Sequence, residues 1–143
     1  MREPFHQLYF HLVWATYDRS PLLLPEHETR LFSCMVAKTE ELGCKVVALD
    51  GLEDHVHLLV RARPSVAVAL LVKEVKGASS HLMNHEIASL NTFRWQGAYG
   101  AFSVSPRAVP KIKDYILHQK TRHHAGDLHD DWERCFIEEN EAF

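Results

Sequence analysis

His55-Val56-His57-Leu58-Leu59-Val60 restricts this chain more than any other stretch. A β-strand repeats every two side chains, so His55, His57 and Leu59 share one face and Val56, Leu58 and Val60 the other. The second set is aliphatic and suits a core. The first presents two imidazoles side by side on a rigid support, which is a good part of a divalent-metal site. A buried strand with two hydrogen-bonded histidines has the same pattern, so the rest of the chain must decide.

At 143 residues the chain is long enough for one domain with a proper core. No apolar run approaches the roughly 20 residues of a membrane span. Met1–Phe5 lacks the pattern of a signal peptide, so a cytoplasmic protein is expected. Cys34, Cys44 and Cys135 have no metal-knuckle spacing and read as reduced thiols.

The net charge is −3, from sixteen basic and nineteen acidic residues. That balance argues against a non-specific duplex binder but permits a local basic groove. Seven of the acids, Asp127, Asp130, Asp131, Glu133, Glu138, Glu139 and Glu141, fall within the last seventeen residues. Without them the count is sixteen basic against twelve acidic. Residues 1–126 are therefore expected to form the domain and 127–143 an acidic C-terminal tail. Trp132 and Phe136 suggest one docking turn or helix in that tail.

Residues 6–17 read as a long central first strand, apolar on both faces. Pro25, Glu26 and Glu28 open a first helix over about 26–42, capped by Gly43. Cys44–Leu49 is a second strand, joined to the HxH strand through a turn at Asp50–Asp54. Ser65 can cap a second helix whose buried stripe is Val68, Leu71, Val72, Val75, Ser79 and Leu82. Gly77 interrupts it at a cost of up to ~1 kcal/mol relative to Ala, which a close backbone approach or a helix junction would explain. After a loop over 88–98 come a fourth strand, Tyr99–Val104, and a third helix, about Arg107–His124, ended by Gly126. The order β-α-β-β-α-β-α predicts an α+β fold: a ferredoxin-like βαββαβ antiparallel sheet with an additional C-terminal helix.

In such a sheet Val56, Leu58 and Val60 face the two covering helices, and His55 and His57 look out where the third helix is available. That helix carries Tyr115 and Gln119, four apart and so on one side. The Gln119 amide oxygen can complete a three-ligand set with both histidines, and Tyr115 then holds a phenol beside the metal. These three ligands are neutral, so a bound dication keeps its charge for polarising a phosphodiester. A phenol attacking phosphorus forms a phosphotyrosine that a strand hydroxyl can later displace.

His-hydrophobic-His on a central strand, followed by a helical Tyr and a Gln four residues on, resembles the HUH nucleases. Within them the chain is similar to the single-tyrosine transposases of bacterial insertion sequences, of the IS200 type. His11-Leu12-Val13-Trp14, Asp54–Val60, Lys76-Gly77-Ala78-Ser79-Ser80, Trp95 with the following Gly-Ala-Tyr, and Tyr115–Gln119 all carry the likeness. They span roughly residues 6–125.

The resemblance implies a metal-dependent transposase that cuts and rejoins single-stranded DNA through a 5′-phosphotyrosine, with Mg²⁺ or Mn²⁺ as cofactor. It implies binding to hairpins at element ends, a homodimer, and a bacterial or archaeal host in which the bound protein is nucleoid-associated. His55, His57 and Gln119 would be metal ligands and Tyr115 the nucleophile. The acidic tail departs from the basic balance of such proteins.

Other residues have two readings each. Arg61, Arg63, Lys73 and Lys76 could contact DNA backbone or be plain surface charge. Trp95 and Phe93 could stack on unpaired bases or belong to the core. Asp54 could orient a ligand imidazole or serve the turn. His118, His123 and His124 could touch phosphate or metal, or complement a helix end. A histidine-triad hydrolase would need a third His where Leu59 stands. A domesticated, REP-associated-type or non-cutting nucleic-acid-binding relative is the alternative function; the Tyr115/Gln119 pair speaks against it.

Overall fold

The computed structural model describes residues 2–87, 92–126, 128, 130–138 and 141. Strand β1, Tyr9–Ala15, leads through a 3₁₀ turn at Tyr17–Arg19 to helix α1, Pro25–Glu41. Strands β2, Lys45–Leu52, and β3, His55–Arg61, follow, and then helix α2, Val68–Leu82. After a π turn at Met83–Ile87 come β4, Gly100–Val104, helix α3, Val109–Leu117, and helix α4, Gln119–Ala125. A last 3₁₀ turn covers Asp130–Glu133.

The four strands form one sheet in the order β2-β3-β1-β4, antiparallel throughout. Both central strands are almost wholly buried, covered by α1 and α2 on one face and by α3 and the C-terminal segment on the other. Strand parity sorts the two faces. Leu12, Trp14, Val56, Leu58 and Val60 pack with Leu31 and Met35 of α1 and Leu71, Val72 and Val75 of α2. Leu59 packs on the opposite face with Ile112, Tyr115 and Ile116 of α3.

Strand β1 is shorter than the expected 6–17, and three further elements differ from the sequence expectation. Strand β2 continues through Gly51 and Leu52, leaving only Glu53-Asp54 as the hairpin turn. A bulge between Val46 and Ala48 puts Val47 and Ala48 together on the α3 side. Helix α2 starts at Val68, with Ser65 in the preceding turn and Ala67 at the cap position without a side-chain bond. The single third helix is two: His118, at φ −110° and ψ 23°, breaks it between Leu117 and Gln119.

Helix α4 is held against the sheet by Lys120, whose Nζ lies 2.7 Å from Glu28 of α1 and 2.9 Å from Asp50 of β2. In the tail, Trp132 docks against α3, whereas Phe136 is 57% exposed. The expected loop at 88–91, the tail residues Asp127 and Glu139, and the side chains of His123 and His124 lie outside the described residues.

Candidate metal centre

The start of β3 supplies the site. His55 and His57 leave the same face, their rings 5.2 Å apart and nearly perpendicular. Each imidazole is held from behind through Nδ1. Asp54 Oδ1 lies 2.7 Å from Nδ1 of His55. Nε2 of His11, one strand over on β1, lies 2.8 Å from Nδ1 of His57. Such outer partners fix ring orientation and tautomer, leaving Nε2 as the outward atom of both rings.

Both Nε2 atoms face the carboxylate of Glu133, at 3.1 Å from His57 and 3.2 Å from His55. The Tyr115 hydroxyl donates a 2.6 Å hydrogen bond to the same carboxylate. Ligand atoms of His55, His57 and Glu133 all lie within 4.8 Å of one another. Two imidazoles and a carboxylate, with their second nitrogens already engaged, are a suitable donor set for a divalent cation.

The electrostatics follow from burial among opposite charges. Burial and then the charge of His57 hold His11 down to about 3, against the pull of Glu133. His11 is therefore neutral, and its Nε2 accepts a hydrogen bond from His57 Nδ1–H whenever His57 Nε2 is to act as a lone-pair donor. That tautomer puts the remaining His11 proton on Nδ1, a buried atom without a hydrogen-bond partner. Burial presses His55 down, but the Asp54 and Glu133 carboxylates outweigh it and raise it to about 9. Burial alone would raise Glu133; His55, His57 and Tyr115 hold it well below the usual carboxylate range. The His55 bond is the main cause holding Asp54 low.

The structure brings His55, His57 and Tyr115 together, the His57 and Tyr115 rings standing 6.0 Å apart. Gln119 is fully buried at the start of α4, and its Nε2 lies 3.4 Å from the Tyr115 carbonyl. The other expected site residues lie elsewhere. Arg61 is at the far end of β3, roughly 13–20 Å from the histidines at a strand's rise per residue. It donates to the His6 carbonyl, while Arg63 packs beside Gly43.

Lys73 and Lys76 line a shallow groove between α2 and the loop before β4. Lys76 Nζ is bound to the carbonyls of Gln96 and Ala98. Trp95 fits the core reading: it is buried, its ring packs on Trp14 and Phe93, and its N–H donates to Ser79. His118 caps the end of α3 through the Asp114 carbonyl.

Sequence reasoning did not find Glu133 or His11. Glu133 sits in an acidic run that reads as a solvated tail; the adjacent Trp132 was the only sign that this segment docks. His11 shares the parity of Val13, the residue paired with His57, which strand register alone would have exposed.

The family model for IS200-like transposases matches residues 4–119. The ISDra2 transposase TnpA of Deinococcus radiodurans is 31% identical over 119 residues, covering 80% of this chain and 85% of that protein. The transposase for insertion sequence element IS200 of Salmonella typhimurium is 24% identical, over 82% of this chain and 80% of its own.

A crystal structure of a candidate transposase from Deinococcus radiodurans superposes with a TM-score of 0.68 at 31% identity, covering 83% of this chain and 95% of that one. A REP-associated tyrosine transposase bound to a REP hairpin shares the fold, with a TM-score of 0.65 at 14% identity over 90% and 74% of the two chains. A match over residues 4–119, centred on the strand with the two imidazoles and reaching the helix with the phenol, places this chain in the IS200-like transposase family.

Proposed function

We propose that residues 1–126 form a metal-dependent DNA transposase that cuts and rejoins single strands through a 5′-phosphotyrosine. The observation that carries this reading is the Tyr115 hydroxyl, one carboxylate's width from the Nε2 atoms of His55 and His57. The strand order β2-β3-β1-β4 with α1 and α2 on one face supports a ferredoxin-like sheet, and the additional α3 packs on the other face, the side of the two imidazoles.

His55 and His57 would hold Mg²⁺ or Mn²⁺, with Gln119 as the proposed third ligand. When bound, the cation supplies Lewis-acid polarisation of a phosphodiester oxygen. Asp54 and His11 orient the two imidazoles. Tyr115 is the nucleophile: its Oη–P bond forms as the P–O3′ bond breaks, and the departing 3′ oxygen takes up a proton. Displacement of the tyrosine by another 3′-hydroxyl reverses these bonds and rejoins the strand.

Hairpins at element ends are the proposed substrate, in line with the hairpin carried by the REP-associated relative. Arg61, Arg63 and Lys73 are proposed contacts to DNA backbone, and Lys76 and Trp95 brace the loop that lines the groove with Lys73. A homodimer in the cytoplasm, nucleoid-associated when bound, completes the reading.

A labelled single strand from the DNA flanking the gene, incubated with protein and Mn²⁺, should give a covalent adduct. Its retention in Tyr115→Phe would overturn the nucleophile assignment. The second reading, a REP-associated-type or non-cutting relative, is favoured by the burial of Tyr115. It predicts hairpin binding with no adduct at all.

A further inference from the structure

We propose that the segment Asp130–Cys135 is a strap that closes the site against its own substrate, with Glu133 holding the place of the incoming phosphodiester. The proposal rests on the transposase reading for what it excludes, and on packing for how it closes. His57 is 0% exposed, His55 2% and Tyr115 3%. A small ion can reach such groups through modest fluctuations, but a nucleic-acid strand cannot. The cover must therefore leave before Tyr115 can meet phosphorus.

What covers these groups is the C-terminal segment. Trp132 stands edge-on to Tyr115 at 4.9 Å and to His11 at 6.3 Å, with Lys111 Nζ 5.8 Å from its ring centre. Cys135 is buried with Val13 and Ala15 of β1. Between them the Arg134 carbonyl lies so close to Gly100 that a Cβ there would fall 1.8 Å from its oxygen. Gly100 of β4 is thus the seat of the strap.

The chemistry of the occupant is that of a substrate mimic. A carboxylate and a phosphodiester both offer anionic oxygens to hydrogen-bond donors and to cations. Glu133 takes the Tyr115 hydroxyl and the imidazole nitrogens as a phosphate oxygen would. Asp130, Asp131 and Glu133 against the single Arg134 give the segment the charge sign of the strand it displaces. The family match ends at residue 119, so the strap lies beyond the span shared with the family model.

Cys135 is a natural reporter of the closed state, with Cys44 as a core control. Alkylation by iodoacetamide, mapped by mass spectrometry, reads both thiols in the full-length protein. Gly100→Ala dislodges the strap but its Cβ would also press on Val13, the β1 partner of His57, so Trp132→Ala, which leaves β1 and β4 unaltered, is the second, milder variant; circular dichroism confirms that each is folded.

We expect Cys135 to react at least ~10-fold faster in both variants than in the wild type, as local opening predicts, with Cys44 unchanged. Adding the single-stranded oligonucleotide should uncover Cys135 in the wild type, and both variants should form the tyrosine adduct faster. Cys135 uncovered by the oligonucleotide with no adduct from any variant supports the strap and counts against the tyrosine chemistry. Cys135 protected in both folded variants overturns the strap. So does an adduct that forms more slowly once Cys135 is exposed, which would make Glu133 a working part of the metal site.

Discussion

The Tyr115 hydroxyl donates a 2.6 Å hydrogen bond to the Glu133 carboxylate, eighteen residues along the chain. The proposed nucleophile is thus tied to a group from the tail. Bonds to charged acceptors contribute more than neutral ones, so Tyr115→Phe should lower the stability of the metal-free protein by about 1–2 kcal/mol. Chemical denaturation of both proteins in chelator checks this. Equal stabilities would mean that the bond is not formed in solution.

Asp54 and His11 should matter to a bound metal although neither presents an atom to it. Asp54→Ala removes the partner of His55 Nδ1, and His11→Phe removes that of His57 Nδ1 while keeping a ring beside Phe102. Each change should weaken Mn²⁺ affinity by ~10–100-fold, measured by calorimetry. Unchanged affinity in both would show that the imidazoles are oriented by strand packing alone.

The Glu133–His55 pair makes the stability of the metal-free protein depend on pH. His55 is raised from 6.5 to about 9, so its contribution is complete below about 6.5 and is lost as pH rises through about 9. Glu133 is lowered from 4.5, so its contribution is present above about 4.5 and is lost on acidification through its folded value. The two overlap most fully between about 4.5 and 6.5. The Tm difference between wild type and Glu133→Gln, in chelator, should be largest there and shrink toward about pH 10. A difference that grows with alkalinity would contradict the pairing.

Gly77 stands inside α2, and a Cβ placed on it would meet nothing within 4 Å. Gly77→Ala should therefore stabilise the fold by ~0.5–1 kcal/mol through helix propensity. Thermal melts check this. Stabilisation together with weaker oligonucleotide binding would place a DNA strand against this face of α2, beside Lys73 and Lys76.

Much of the site was legible because strands have a strict period. The alternation over His55–Val60 placed both imidazoles opposite α1 and α2, and Leu59 beside Tyr115 in the second core cluster confirms the face. The break at His118 was not legible, since His118 interrupts no apolar stripe and is neither Gly nor Pro. Nor was the β2 bulge, because Val46, Val47 and Ala48 are all apolar and fit either face. Glu133 was hidden for a different reason. It meets His57 across 76 positions, and charge patterning alone cannot tell a docked acid from exposed neighbours such as Asp130, Asp131 and Glu138.

The central claim is that Tyr115 becomes covalently joined to a DNA strand. Trypsin cleavage after Lys113 and Lys120 isolates Asp114–Lys120, which contains one of the four tyrosines. After reaction with a single-stranded oligonucleotide and Mn²⁺, followed by nuclease trimming, this peptide should carry the nucleotide mass on Tyr115. The same mass on Tyr9, Tyr17 or Tyr99, or an adduct persisting in Tyr115→Phe, would contradict the account.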